Sequence, residues 1–222
     1  MNKFLNNQPA RILLKNGLSD LGVACDNHQE DQLLSYLDML IRWNKAYNLT
    51  AIQDPMEMIR LHVLDSISIS HFLNGQRFID IGTGAGLPGI PLSIINPDKH
   101  FTLLDSNGKK TRFLFQVKIE LGLKNVKEVN SRVERFLPDE KYHGVLSRAF
   151  SSLSDMLEKC SHLVLDNGCF FAMKGRLEPD ELGDIPSEYQ ATEKYPIEVP
   201  GVVGRRHLVK VEYSGAGKKT VG

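Results

Sequence analysis

The sequence predicts an α/β fold: a mostly parallel, seven-stranded sheet that finishes in an antiparallel hairpin, with a helical extension in front of it. Three observations carry this. The stretch Phe78-Ile79-Asp80-Ile81-Gly82-Thr83-Gly84-Ala85-Gly86-Leu87-Pro88-Gly89-Ile90-Pro91 passes from a short apolar run with one acid into glycines at alternate positions, then into an apolar helical pattern. From Arg77 onward, strand-like and helix-like stretches alternate, the order expected of a parallel sheet. Residues 1–74, by contrast, show helical periodicity alone. The division that follows is a helical segment over 1–74 and an α/β domain over 75–222.

In the helical segment, 10–18 is a short amphipathic stretch ending near Gly17. Between 27 and about 43, Leu33, Leu37 and Leu40 recur one turn apart, the spacing of a buried helix face. Asp54-Pro55-Met56-Glu57 combines a capping acid, a first-turn proline and a carboxylate at the third position, a strong helix start. The apolar pattern then runs to Phe72, and Gly75 closes it. Two polar clusters interrupt the segment. Trp43-Asn44-Lys45 with Asn48-Leu49-Thr50 reads as an aromatic corner between helices with asparagine capping. His62 and Asp65-Ser66 are one turn apart, so they share a helix face or sit at a helix junction, too few ligands for a metal and better suited to a hydrogen-bonded cluster.

The α/β part reads as follows. After the first strand, Pro88 sits in the first turn of a helix that runs to about Ile95, and Asn96-Pro97-Asp98 turns the chain. Strands are expected at 101–105, 126–129, 143–147 and 169–173, with helices at 109–121, 131–137 and 152–165, the last stopped by Asp166-Asn167-Gly168. A short polar helix at 178–182 and two extended segments, 191–199 and 207–213, complete the sheet. Residues 214–222 form a Gly/Lys tail.

Composition narrows the class. The chain has 222 residues, 41% hydrophobic and 24% charged, with a net charge of zero. A non-specific nucleic-acid coat protein is disfavoured, but a locally basic groove is not. No apolar run reaches bilayer-spanning length, and Met1-Asn2-Lys3-Phe4 lacks the apolar core of a secretion signal, so a cytoplasmic protein without membrane contact is expected. Cys25, Cys160 and Cys169 are odd in number and lack C-x-x-C spacing, which favours reduced core thiols and no metal. A monomer is the default.

Two ligand classes fit the glycine turn. Gly84-Ala85-Gly86-Leu87-Pro88-Gly89 matches the dinucleotide fingerprint, with Asp105 at the spacing of a ribose-binding acid. The register Asp80-x-Gly82-x-Gly84-x-Gly86 is instead that of S-adenosylmethionine-dependent methyltransferases. Chain order favours the second. Only about 130 residues follow the glycines, enough to finish one sheet but not to add a substrate domain, and five βα units before a strand pair is the Rossmann-like class I methyltransferase order. Ligands in such sheets sit beyond the C-terminal strand ends. That selects Gly82 to Leu87, Asp105, Ser131 to Glu134 and Ser147-Arg148-Ala149-Phe150.

Eight motifs in order make the resemblance specific. They are Asp80 to Pro91; Trp43-Asn44-Lys45 with Asn48-Leu49-Thr50; His62 with Asp65-Ser66; Leu104-Asp105-Ser106 with Lys109-Lys110 and Arg112-Phe113-Leu114; Ser131-Arg132-Val133-Glu134; Ser147 to Phe150; Lys174-Gly175; and Arg206-His207-Leu208-Val209. Over nearly its whole length the chain resembles the family of bacterial ribosomal RNA small subunit methyltransferase G, also called glucose-inhibited division protein B. Arg205 departs from the pattern, which has an acid before Arg206-His207. The resemblance implies methyl transfer from S-adenosylmethionine, leaving S-adenosylhomocysteine, to N7 of a guanine in the decoding-region loop of 16S ribosomal RNA. It implies cofactor contacts at Gly82, Gly84, Gly86, Leu87, Val133, Glu134 and Arg148, with Asp105 on the ribose hydroxyls. The segment after the fourth strand agrees. It holds neither the Asn/Asp-Pro-Pro-aromatic motif of exocyclic amine methylation nor a Pro-Cys nucleophile, and guanine N7 needs neither. Arg148 is the candidate for positioning cofactor or base, and Phe150 for stacking on the base or simply filling the core. Lys109, Lys110, Arg112, Lys174, Arg176, Arg205 and Arg206 are candidates for RNA contact. An NAD-linked oxidoreductase and a non-catalytic RNA-binding assembly factor remain as alternatives.

Overall fold

The structure, a computed structural model, describes residues 4–148, 150, 152–175, 185–186 and 189–213. Arg176, the helix expected at 178–182, the tail 214–222, Ala149 and the first three residues lie outside them.

Seven strands form one sheet in the order β3-β2-β1-β4-β5-β7-β6. They are β1 (Arg77–Ile81), β2 (His100–Asp105), β3 (Val126–Asn130), β4 (Tyr142–Ser147), β5 (Val164–Lys174), β6 (Tyr189–Pro196) and β7 (His207–Tyr213). β1 to β5 run parallel, while β7 pairs antiparallel to both β5 and β6. The chain leaves β1 toward β2 on one side and returns beside β1 as β4, so a crevice opens at that switch. A dinucleotide fold of the common six-stranded order has no antiparallel strand wedged in this way.

Alternation along the strands sends side chains to two cores. Phe78, Phe101, Leu103, Leu146 and Phe171 face the first, Ile79, Ile81, Val145, Phe170 and Val209 the second. Helix α7 (Leu153–Cys160) covers the second face through Leu153, Met156 and Leu157. The first face is covered by α5 (Gly89–Ile95) and α6 (Gly108–Leu121), and the N-terminal helices α1 (Gln8–Asp20) and α2 (Asn27–Tyr47) join the same core, α2 lying against α5 and α6. The helical segment therefore shares one continuous core with the sheet. Burial pushes the thiols up, to about 12 for Cys25 and Cys160 and about 11 for Cys169, which leaves them protonated and unreactive.

Five details differ from the sequence reading. Helix α2 continues to Tyr47 and ends on Asn48 in the left-handed conformation (φ 49°), which asparagine tolerates. So Trp43 lies on the helix and packs at a tilt against Tyr47 and Phe113. Pro88 caps α5 from outside instead of joining its first turn. The stretch opened by Asp54, whose carboxylate accepts from Glu57 N at 2.8 Å, is not one helix. A short α-helical turn α3 (Pro55–Met58) gives way to a π-helical stretch (Ile59–Leu64), a turn α4 (Asp65–Ile67) and a 3₁₀ turn (Ser70–Phe72). Residues 131–137 form only one 3₁₀ turn, Val133–Arg135, because Ser131 N and Asn130 Nδ2 are still tied to Asp105 O of β2. Finally, Asp166-Asn167-Gly168 does not end a helix. β5 starts at Val164 opposite Tyr142 and bulges before Cys169 meets Gly144. A Cβ on Gly168 would lie 2.9 Å from His143 O, so only glycine lets the bulge close.

Candidate cofactor and acceptor site

The turn after β1 is fixed by backbone, acids and one tyrosine. Gly82 N and Thr83 N both donate to Leu104 O of β2, at 2.9 and 3.2 Å. Gly82, Gly84 and Gly86 have φ of 64°, 61° and 93°, the left-handed region that side chains disfavour. At Gly86 space forbids a side chain as well, since a Cβ would meet Ile90 Cγ1 at 2.5 Å and Leu114 Cδ2 at 2.9 Å. Asp80 is fully buried beneath the turn, and its Oδ2 accepts from Thr83 Oγ1 (2.6 Å) and Gly89 N (2.8 Å). Burial pushes the Asp80 carboxyl up to about 7, against the pull of those two hydrogen bonds and of Arg148. Asp105, at the end of β2, accepts from Gly84 N (3.0 Å) and Asn107 N (2.8 Å), with Lys110 Nζ at 3.5 Å.

From behind, Tyr36 of α2 donates its hydroxyl to Ala85 O at 2.9 Å. The ring is wholly buried, which raises its pKa and keeps it a donor. A tyrosine among helical apolar positions reads as core, so nothing local in the sequence marked this contact. Tyr36→Phe deletes the hydroxyl and leaves Ala85 O without its donor, about 1–2 kcal/mol. The expected result is a several-fold rise in the dissociation constant for S-adenosylhomocysteine, read by calorimetry, with little change in fold.

The other strand ends complete the edge. Ser147 Oγ donates to Ile81 O (3.1 Å), locking β4 to β1. Val133 is buried and Glu134 exposed in the turn after β3. Arg148 reaches the helical segment, with Nη1 3.3 Å from Asp65 Oδ2 and 3.5 Å from Ser66 Oγ. Asp65 is buried and also holds Arg206 Nε at 3.3 Å from its Oδ1. Burial raises the Asp65 carboxyl, and both guanidiniums oppose that. His62 is bound to Thr50 Oγ1 at 2.8 Å. Burial, with Arg148 nearby, lowers it to about 4, so it is neutral at ordinary pH. The cluster read from sequence as merely hydrogen-bonded is thus the anchor of two arginines.

Beside Arg148 opens a cleft of about 290 Å³, lined among others by Asp65, Met173, Lys174, Ile197, Arg206 and His207. The structure therefore brings Gly82, Gly84, Gly86, Leu87 and Asp105 together in one turn and sets Arg148 at its border with this cleft. Phe150 packs on the α7-side core. Of the basic candidates, Lys109, Arg112 and Arg205 are exposed. Lys110 is paired with Asp105, Lys174 donates to Phe150 O at 3.0 Å, and Arg206 is held by Asp65. Among the described residues no group of His, Cys, Asp and Glu is placed to hold a metal, and no helix is long and apolar enough to cross a membrane.

Sheet order and glycine turn define the class: this is the class I methyltransferase fold. Similar solved structures include a SAM dependent methyltransferase from Aquifex aeolicus, at a TM-score of 0.54 and 17% identity, covering 74% of this chain and 96% of that one. TrmN from Thermus thermophilus is similar at a TM-score of 0.53 and 17% identity, over 78% of this chain and 52% of that one. The family is narrower. The family model of rRNA small subunit methyltransferase G (GidB) matches residues 29–209. Proteins named Ribosomal RNA small subunit methyltransferase G from Escherichia coli O1:K1 / APEC and from Shigella boydii serotype 18 are each 52% identical over 195 residues, 88% of this chain and 94% of theirs. The chain belongs to the rRNA small subunit methyltransferase G family.

Proposed function

We propose that the protein transfers a methyl group from S-adenosylmethionine to N7 of a guanine in the decoding-region loop of 16S ribosomal RNA, acting as a cytoplasmic monomer on the small subunit. The observation that carries the cofactor half is the bond from Gly84 N to Asp105 across the C-terminal ends of β1 and β2, which joins a close-approach turn to an acid suited to ribose hydroxyls. The residues fit that cofactor: Gly82, Gly84, Gly86 and Leu87 form the cradle, Asp105 takes the ribose, and Val133 and Glu134 border the adenine. Arg148 stands between cofactor and base. When bound, S-adenosylmethionine supplies an electrophilic sulfonium methyl.

What the chain itself must then provide is alignment. Guanine N7 offers an in-plane lone pair and carries no proton, so no general base is needed. That agrees with a site in which His62 is neutral and already bonded to Thr50. Rate enhancement comes from holding base and methyl in line and dry, the work of Arg148 and the strand-end backbone. On this reading, 75–222 is the catalytic domain and 1–74 both covers the sheet and borders the acceptor.

Calorimetry tests the cofactor assignment. S-adenosylhomocysteine binds the parent protein, and Asp105→Ala weakens it roughly 10- to 100-fold, the value of hydrogen bonds to a charged group. Stabilisation by NAD and not by S-adenosylhomocysteine would return the turn to the oxidoreductase reading.

A further inference from the structure

The cleft beside Arg148 has a composition that the cofactor cradle does not use. Met173 and Ile197 give it an apolar wall, and Arg148 and Arg206 bring two cations against the one carboxylate of Asp65. An apolar slot with surplus positive charge suits a base and its phosphate together. Asp65 sits at its root with its side chain 7% accessible, one oxygen 3.3 Å from Arg148 Nη1 and the other 3.3 Å from Arg206 Nε. These arginines come from separate strands, one following β4 and one preceding β7, yet converge on one acid. Each guanidinium presents five donors. Among the described residues, Nη2 of both has no protein partner, so each fork keeps donors for a ligand. Asp65 is also where the π-helical stretch Ile59–Leu64 ends. Such stretches recur at functional sites because they re-aim the residues beside them.

We infer that this cleft receives the acceptor nucleotide of the RNA, and that Asp65 is a positioning residue which holds Arg148 and Arg206 for it. This rests on the activity proposed above. Arginine commonly reads guanine through O6 and N7, but that pairing would cover the atom to be methylated. The two forks therefore take phosphate oxygens, which fix register without reading sequence, and the base lies on the Met173–Ile197 wall. The N-terminal segment is then part of the acceptor site through Asp65 and through Ile52, Leu61 and Ile69, which line the same cleft.

Two variants test this. Asp65→Asn keeps the shape but removes the charge that aligns both arginines. Ile197→Trp, on a half-buried rim position whose backbone N–H donates to Arg206 O, fills the cleft while leaving the side chains of Asp65, Arg148 and Arg206 unsubstituted. Each is assayed for S-adenosylhomocysteine binding by calorimetry and for steady-state methyl transfer to small subunits lacking the modification. Both variants should bind S-adenosylhomocysteine within twofold of the parent yet lose at least tenfold in kcat/KM for subunits, chiefly through KM. Unchanged transfer in both, or parallel loss of cofactor binding and transfer in both, overturns the assignment. If Asp65→Asn fails to fold, Ile197→Trp decides by the same criteria. A parent protein that methylates no subunit overturns the proposed activity instead. The cleft is then judged by filter retention of a 16S RNA fragment, which Ile197→Trp must weaken at least fivefold.

Discussion

Gly86→Val abolishes cofactor binding and strongly destabilises the protein. The position combines a φ of 93° with a Cβ site 2.5 Å from Ile90 Cγ1 and 2.9 Å from Leu114 Cδ2. Left-handed backbone and overpacking together cost roughly 3–5 kcal/mol, which for a chain of this size lowers Tm by on the order of 6–20 °C. The turn shifts to relieve the clash, and S-adenosylhomocysteine no longer gives a calorimetric signal. Gly84→Ala is the matched comparison. Its φ of 61° is similar, but the nearest atoms to its Cβ, Gly82 O and Lys110 Nζ, are 3.9 Å away. It loses the dihedral term alone, about 1–2 kcal/mol. Equal losses in the two variants, by thermal melts, would show that the contact with Ile90 and Leu114 is not what fixes the turn.

Asp80→Ala is the second large effect. It strands the buried Thr83 hydroxyl and the Gly89 N–H, together roughly 2–5 kcal/mol, and frees the start of α5. Asp80→Asn keeps an acceptor there and isolates the charge. With its carboxyl at about 7 in the folded protein and near 4 when unfolded, Asp80 binds its proton more tightly in the fold. Its contribution to stability is therefore full below pH 4 and is lost as pH rises toward 7. The difference in unfolding free energy between parent and Asp80→Asn, by urea titration at pH 4.5, 6 and 7.5, should shrink as pH rises. His62, lowered to about 4, works the other way, its contribution being full above pH 6.5 and lost as pH falls from there through 4, but it is common to both proteins and cancels. A difference that grows with pH would contradict the folded-state shift.

What could be seen in the sequence followed from local geometry. Gly82, Gly84, Gly86, Asp80 and Asp105 lie within one strand–turn–helix–strand unit, where spacing dictates contact, and the alternating pattern beyond Arg77 set the sheet. What escaped depended on distant partners. Arg148 and Asp65 are far apart in the chain, and any of 27 acidic residues could have answered that arginine. Tyr36 reaches Ala85 only because α2 packs against α5 and α6. The bulge in β5 hid behind Asp166-Asn167-Gly168, whose turn-forming character is real but was resolved by strand pairing with Tyr142. The π-helical stretch carries no apolar signature that separates it from the α-helix its cap predicted.

The most direct test of the central claim is transfer of a radiolabelled methyl group from S-adenosylmethionine to small ribosomal subunits lacking the modification, with the labelled nucleoside identified by mass spectrometry. The expected result is label in 7-methylguanosine from 16S RNA and in no other nucleoside. Label in a different nucleoside, or none while S-adenosylhomocysteine still binds, would contradict it.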